Sequence, residues 1–305
     1  MDLNKLRIFH AVAEAGSFSA AGRLLYLSQP SVSAHIKDLE REVGVALFER
    51  LRRGARLTTA GDALASYARR IFALEADAGR MMAAHRGSET GRAVVAASSI
   101  PGTFLLPPIL GRFHQAHPGV SLRLEISDTA EVERRLLELE ADLGVMGEPI
   151  SPGDLEVRPW VDDELVLIVV GDHPWTRRKP RRAEALAGRP FIAREPGSSV
   201  RALTDAWLAA LGIQVDVTME LNSPEAVNRA VAAGLGVSIT SRFALEHEVP
   251  SGELAIVNVP GLPIRRKLNV ITNRHRPLLP ATGALLQAIL ASGRTAAGID
   301  SGVHL

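Results

Sequence analysis

Cysteine is absent from the 305-residue chain. That excludes a disulfide scaffold, a thiolate metal site and a cysteine nucleophile. Aromatic residues are scarce, at 4% (8 Phe, 3 Trp and 2 Tyr), too few to favour a stacking platform for single-stranded nucleic acid. Lysine is rare as well. Lys5, Lys37, Lys179 and Lys267 are the four among 35 basic residues, so arginine is the default cation and no single Arg is marked by type alone. No stretch approaches the roughly 18 apolar residues of a membrane span. The N-terminus, Met1-Asp2-Leu3-Asn4-Lys5-Leu6-Arg7, has no apolar core followed by a small-residue cleavage site. A cytoplasmic protein with no membrane partner is therefore expected. Net charge is also missing: at +1, the total gives no sign of a polyanionic partner.

What is present is an ordinary globular composition, 46% hydrophobic and 23% charged, long enough for two domains at about 150 residues each. The near-zero charge is unevenly spread. Residues 1–90 carry a net +3 and residues 91–305 a net −2. The steepest feature is Arg50, Arg52, Arg53 and Arg56, with no acid from Arg50 through Gly61.

The N-terminal segment reads as three short helices and a basic loop. Leu3, Leu6, Phe9 and Val12 recur at helical spacing, Gly16 closes that helix, and Ser17 can cap the next. A third helix starts near Ser28-Gln29-Pro30, where proline is tolerated because its missing N–H had no partner. Val32, Ile36, Leu39 and Val43 make one narrow apolar seam. Gln29, Ser31, Ser33, His35 and Lys37 lie on the opposite face. A thin helix with amide and hydroxyl groups and a phosphate-attracting N-terminus suits a major groove. Two short extended pieces, Val45–Arg50 and Arg56–Thr58, around the arginine tip would form a wing. The alternative is a three-helix domain with a solvated basic loop.

Residues 60–86 then run without proline. Leu64, Tyr67, Ile71, Leu74, Ala78 and Met81 step by 3, 4, 3, 4 and 3. This heptad seam predicts a linker helix that dimerises, roughly 40 Å long. Its alternative role is packing on its own domain. Gly87-Ser88-Glu89-Thr90-Gly91 reads as a hinge.

Phe18-Ser19-Ala20-Ala21, Leu27-Ser28-Gln29-Pro30-Ser31-Val32-Ser33, Ile36-Lys37-Asp38-Leu39-Glu40, Val43-Gly44, Leu47-Phe48-Glu49-Arg50 and Leu57-Thr58-Thr59-Ala60-Gly61 together resemble the LysR-type transcriptional regulators. The match runs ungapped over about 60 residues, and the remaining chain has the length and order of that family's effector domain. The resemblance implies a winged helix-turn-helix, a linker helix and a two-lobed domain of the periplasmic-binding-protein type. It also implies tetramers built as dimers of dimers, with operator DNA, a small-molecule effector and RNA polymerase as partners. Gln29, Pro30 and Ser33 match the family's DNA-facing positions, and Arg50, Arg52 and Arg53 match its wing. Where the family often has Arg-Gln after Ser33, this chain has Ala34-His35. Operator preference would then rest on Gln29, Ser33 and His35, or on groove shape. The stretch Asn222–Val227 before Val231–Val237 is similar to the branch with cysteine-biosynthesis and carbon-fixation regulators.

From Arg92 onward, strand-like and helix-like segments alternate. This predicts an α/β domain with a parallel sheet and helices on both faces, in an α+β chain overall. Crossings near Asp162 and Arg265 would act as hinges. The expected divisions are 1–58 for the winged helix and 59–87 for the linker. The effector domain takes 88–292, with lobe I at 91–161 and 267–292 and lobe II at 162–266. A flexible tail takes 293–305. Ligands of open sheets bind at helix N-termini outside strand ends. Such junctions occur at Ser98-Ser99, Ser127-Asp128-Thr129, Gly197-Ser198-Ser199 with Arg201, and Asn222-Ser223-Pro224-Glu225. The candidate effector contacts are Ser98, Ser99, Ser127, Thr129, Gly147, Gly197, Ser198, Ser199 and Arg201, a set suited to a small anion. Each serine is equally an ordinary cap, and Arg201 has Asp205 four residues on.

Other motifs fail. Gly234-Leu235-Gly236 lacks the third glycine of a dinucleotide fingerprint. His114 and His117 have no third metal ligand nearby. Asp162-Asp163-Glu164 lacks an acid–base partner. The reading is thus a non-enzymatic, cofactor-free, effector-responsive DNA-binding regulator. The alternatives are a purely oligomerising C-terminal domain, or a two-lobed carrier or transferase.

Overall fold

The computed structural model describes residues 1–50, 54–85, 91–151, 153–178, 180 and 182–296. The chain divides into an N-terminal unit, essentially residues 1–82, and a second unit built from the chain that follows.

The N-terminal unit contains α1 (Leu3–Ala15), α2 (Phe18–Leu25), α3 (Gln29–Val43), β1 (Phe48–Arg50), β2 (Ala55–Leu57) and most of α4 (Thr59–His85). Each helix start is satisfied locally. Asp2, Ser17 and Ser28 accept from the backbone N–H three residues on. Gly16 and Gly44 take the left-handed conformation at the ends of α1 and α3. Leu6, Phe9, Val12, Val32, Ile36, Leu39 and Leu47 fill the core. The turn into α3 is tight enough that a Cβ on Gly22 would stand 2.7 Å from the Leu27 carbonyl oxygen. β1 and β2 pair antiparallel from Phe48↔Leu57 to Arg50↔Ala55. Leu51, Arg52 and Arg53 of the sequence-predicted wing lie outside the described residues, as do Gly87 to Thr90 of the sequence-predicted hinge.

The α4 seam divides between two roles. Leu64 and Ile71 pack, with Ala65, Ala68 and Phe72, onto the N-terminal core. Tyr67 is 64% exposed, and Leu74 and Ala78 are exposed beside it. The reason is that α4 is apolar on more than one stripe. Ala65, Ala68 and Phe72 draw one edge of the heptad pattern inward and leave the other edge outside.

The second unit is built on a seven-stranded mixed sheet. Its order is β10 (Leu254–Val257), β6 (Leu155–Val170), β11 (Ile264–Asn273), β5 (Leu143–Gly147), β3 (Gly91–Ser98) and β4 (Val120–Ser127), with β9 (Ser238–Ser241) on the other edge of β6. β3 lies parallel to β4 and β5, as the sequence predicts. β6 and β11 do not follow a purely parallel pattern: they pair antiparallel with each other and run through both lobes.

In the first lobe a π-helical turn (Pro101–Leu105), α5 (Leu106–Ala116) and α10 (Pro280–Ala296) belong to one face of the sheet. There Val95, Leu110, Phe113, Val145, Leu285 and Ile289 share a core. On the other face α6 (Thr129–Leu137) packs Val132 and Leu136 on Val94, Met146 and Ile271. α10 continues past Gly293 to Ala296, four residues into the stretch read from sequence as a tail. Residues 297–305 lie outside the described residues.

The second lobe adds α7 (Pro174–Arg177), β7 (Pro190–Arg194), α8 (Ser199–Ala210), β8 (Asp216–Leu221) and α9 (Pro224–Ala232). Along β6, Leu165, Leu167 and Val169 enter the core shared with α8, and Val166 and Ile168 enter the one shared with α9. Burial on both faces explains the unbroken apolar run there.

One joint in the N-terminal unit is sensitive to pH. His10 on α1 stacks on Phe72 of α4, with ring centroids 5.4 Å apart, and its Nδ1 is buried without a hydrogen-bond partner. Burial pushes its pKa below the ordinary 6.5. Arg69 of α4 acts in the same direction, and Glu14 of α1 opposes it. Arg7 lies over Phe72 and pairs with Glu75 on the same contact. Protons therefore bind the unfolded chain more readily, and the neutral ring's contribution to stability is held above pH 6.5 and lost as pH falls below it. His10→Phe should flatten the fall in melting temperature between pH 8 and pH 5.5, as followed by circular dichroism at 222 nm.

Candidate DNA-reading face and interlobe cleft

α3 exposes Gln29, Pro30 and Lys37, with Ser31, Ser33 and His35 half-buried beside the buried seam. Its first turn holds no acid. Further along, its carboxylates are engaged elsewhere. Asp38 pairs with Arg41, Glu42 with Lys5, and Glu40 accepts from the backbone N–H of Leu47 and Phe48. Glu40 thereby anchors the first wing strand to α3. Lys37 has no carboxylate partner among the described residues. The outer face of α3 thus carries amide, hydroxyl, imidazole and ammonium groups with little opposing negative charge, as contact with a phosphate-lined groove requires. On the wing, Arg56 is bonded across the hairpin to Glu49 at 2.6 Å. Arg50 is placed by its backbone at the end of β1. Arg52 and Arg53 of the sequence-predicted wing set are outside the described residues.

In the second unit three of the four predicted polar junctions contribute to a cleft between the lobes, while Ser127 and the Asn222–Glu225 junction do not line it. Ser98, Ser99, Asp128 and Thr129 come from the first lobe. Ser198, Ser199 and Arg194 come from the second, and Arg266 from β11. The inner recess has only about 10 Å³ of free space. A groove of about 350 Å³ shares Thr129, Ser198 and Ser199 with it and extends past Pro149, Gly197 and Arg201.

Local bonding separates caps from candidates. Ser223 accepts from the N–H of Ala226 and is an ordinary cap. Asp128, rather than Ser127, accepts from Glu131 to cap α6. Ser198 makes no capping bond from its side chain at the start of α8. Thr129 is 6% exposed, and its Oγ1 has no hydrogen-bond partner. A buried hydroxyl without a partner costs free energy, and this one lines the cleft.

The cations differ from the sequence expectation. Arg201 donates to Asp205 at 2.6 Å, to Glu220 at 3.1 Å and to the Arg194 carbonyl at 2.8 Å. These acids raise its pKa and neutralise its charge, so Arg201 is a structural tie rather than a free anion receptor. The buried cations that line the recess are Arg194 and Arg266, both missed by sequence reasoning. Arg194 forms a bidentate pair with Glu195 and donates to Ser99 Oγ at 3.1 Å, joining the lobes. Arg266, 2% exposed, donates to Asp163 at 2.8 Å and to Ser199 Oγ at 2.8 Å. Asp163 is completely buried and also accepts from Ser241. The available signal was positional. Arg194 ends the apolar strand Phe191-Ile192-Ala193 just before Gly197-Ser198-Ser199, and Arg266 abuts the predicted crossing. Gly147 lies against Arg266: a Cβ there would stand 2.7 Å from Nη1. Among the described residues no cluster of three or more metal-ligating side chains occurs, and no helix is long and apolar enough to cross a membrane.

Residues 3–62 match the family model for the bacterial regulatory helix-turn-helix protein of the lysR family, and residues 86–294 match the LysR substrate binding domain. The chain belongs to the LysR family. Its LysR relatives include a probable RuBisCO transcriptional regulator of Cyanidium caldarium. That protein is 35% identical over 295 residues, covering 94% of this chain and 93% of the relative. The HTH-type transcriptional activator CmpR of Synechocystis sp. is 32% identical, with 95% of each chain covered. Among solved LysR structures, full-length CbnR complexed with its target DNA superposes with TM-score 0.67 at 25% identity, over 96% of this chain and all of CbnR. The CcmR regulatory domain from Synechocystis PCC6803, in complex with 2-PG, superposes with TM-score 0.64 at 30% identity. It covers 67% of this chain and 98% of that domain. The protein is thus a LysR-family DNA-binding regulator with an effector-binding domain.

Gln29 is the exposed amide at the start of α3, suited to bidentate contact with adenine. Gln29→Ala should cost about 1–3 kcal/mol on the cognate operator and almost nothing on random duplex. Fluorescence anisotropy with both DNAs at one salt concentration checks this; equal losses would make Gln29 a positioning residue only.

Proposed function

We propose that the protein regulates carbon-assimilation promoters in response to a small phosphorylated carboxylate of the 2-phosphoglycolate class, bound between the lobes. The observation that carries this reading is the Thr129 hydroxyl, buried and unpaired at the N-terminus of α6, facing the cleft across from the start of α8. Helix N-termini and free hydroxyls favour an anion, and the CcmR domain was solved with 2-PG. Gln29, Pro30, Ser31, Ser33, His35 and Lys37 would read the operator, with Arg50, Arg52 and Arg53 on flanking phosphate. The exposed stripe of Tyr67, Leu74 and Ala78 would carry self-association, and RNA polymerase would receive the output.

The inner recess has room for no more than about one water-sized molecule. An effector would therefore enter by parting the lobes, exchanging the Arg194–Ser99 bond for its own contacts. The affinity for effector and the balance between open and closed forms would be linked.

With 2-phosphoglycolate at about 100 times its Kd, the full-length protein should gain about 2.7 kcal/mol, seen as a rise of several degrees in melting temperature. Thr129→Val keeps the shape and removes the hydroxyl. It should weaken binding by roughly 10-fold or more, the worth of a hydrogen bond to a charged group. If neither 2-phosphoglycolate nor other small carboxylates and phosphates at millimolar concentration shift the melting curve, the second unit is an oligomerisation module instead.

A further inference from the structure

The second lobe carries a concentration of positive charge that the cleft does not use. Between Asp172 and Glu184 the sequence contains Arg177, Arg178, Lys179, Arg181 and Arg182 and no acid. Lys179 and Arg181 lie outside the described residues. The other three arginines are exposed at the end of α7 and just beyond it, and Arg189 is exposed on the return into β7. Their setting is firm. Trp175 packs against the second-lobe core, His173 meets its ring edge-on at 4.9 Å, and the Arg189 guanidinium lies over the same ring at 5.6 Å.

Most arginines among the described residues are tied to carboxylates. Among the described residues, Arg177 and Arg178 have no carboxylate within salt-bridge distance. Arg182 has only Glu184, and that pair is largely solvated. Segment 91–305 is net negative, so this patch stands against the charge of its own domain. Clustered like charges repel, and they lower that cost by meeting a polyanion.

We propose that Arg177, Arg178, Arg182 and Arg189 form a sequence-independent contact surface for the phosphate backbone of duplex DNA, separate from the winged helix. Two features favour phosphate over an acidic protein surface. The cations are guanidinium groups, whose fork geometry matches phosphate oxygens. Furthermore, the patch has no exposed apolar anchor: Trp175 is half-buried beneath it, and protein hot spots are built on aromatic or apolar groups that become buried. DNA held by the winged helix is at high effective concentration for any other basic surface of the same assembly. The inference rests on the DNA-binding reading of the first unit and adds a second point of contact.

The test uses the full-length protein and the double substitution Arg177→Gln/Arg178→Gln, two exposed positions without ion pairs. Affinity is measured over a salt series on a core operator and on the same operator with random-sequence flanks. Loss of two phosphate contacts should lower the slope of log K against log salt by about one to two units on the flanked DNA. A fall on both fragments would place the contact within the core and still support it. Unchanged slopes on both overturn the proposal and leave the patch to an acidic protein or to solvent. The melting temperature and its shift with 2-phosphoglycolate should match wild type. If they do not, the single variants Arg177→Gln and Arg178→Gln replace the pair. Failure of the wild-type protein to prefer its operator over random DNA would instead remove the DNA-binding reading itself.

Discussion

The antiparallel ladder of β6 and β11 is the constraint on which the second unit depends. It runs from Leu155↔Asn273 to Ile264↔Leu165 and belongs to both lobes. β5 hangs on β11, and β9 and β10 hang on β6. Within it the register sets Asp163 opposite Arg266, a fully desolvated ion pair. Such a pair repays its desolvation only when its remaining lone pairs and protons are bonded. Here Ser241 completes Asp163 and Ser199 completes Arg266. One pair therefore joins the crossing strands to β9 and to the first residue of α8, which lines the cleft. The ladder shifts register once, between Leu268 and Asn269, whose successive partners are Val161 and Pro159, leaving Trp160 unmatched.

In the first unit the same logic works through neutral groups. The recognition helix is held by one narrow apolar seam and by caps of its own sequence. Three of its acids are bound to Arg41, Lys5 and two backbone N–H groups. Holding the acids away leaves the outer face electrically suited to phosphate without raising the total charge. The regulator can then stay near neutrality, with strong local fields and weak long-range attraction, which keeps its hold on DNA dependent on fit.

The parts legible in sequence were those written in local spacing. The α3 seam of Val32, Ile36 and Leu39, the caps Ser17 and Ser28, and the parallel strands around Val94 and Leu143 all follow from periods of 3.6 or 2 and from capping chemistry. The parts that stayed hidden depend on partners far along the chain. Arg266 reads as one surface arginine among many until β6 brings Asp163 against it from 103 residues away. For Arg201 one acid, Asp205, was within reach in sequence, whereas the second, Glu220, arrives on another strand. The heptad seam of α4 was real as a pattern, but Ala65, Ala68 and Phe72 decide which edge turns inward, and small residues give little periodic signal. Ser223 and Asp128 turned out to be caps, whereas Thr129 kept a free hydroxyl; composition alone cannot separate those two uses.

Gly147 gives the arrangement an evolutionary consequence. Arg266 lies where any side chain at 147 would project: even a Cβ would stand 2.7 Å from its Nη1, so the guanidinium would have to move. A mutation at this glycine is thus filtered by the residue on the neighbouring strand. Either change alone is costly: a side chain at 147 displaces Arg266, and loss of Arg266 leaves Asp163 buried without its cation. Positions 147 and 266 should therefore change as a coupled pair in lineages that repurpose this cleft for another signal.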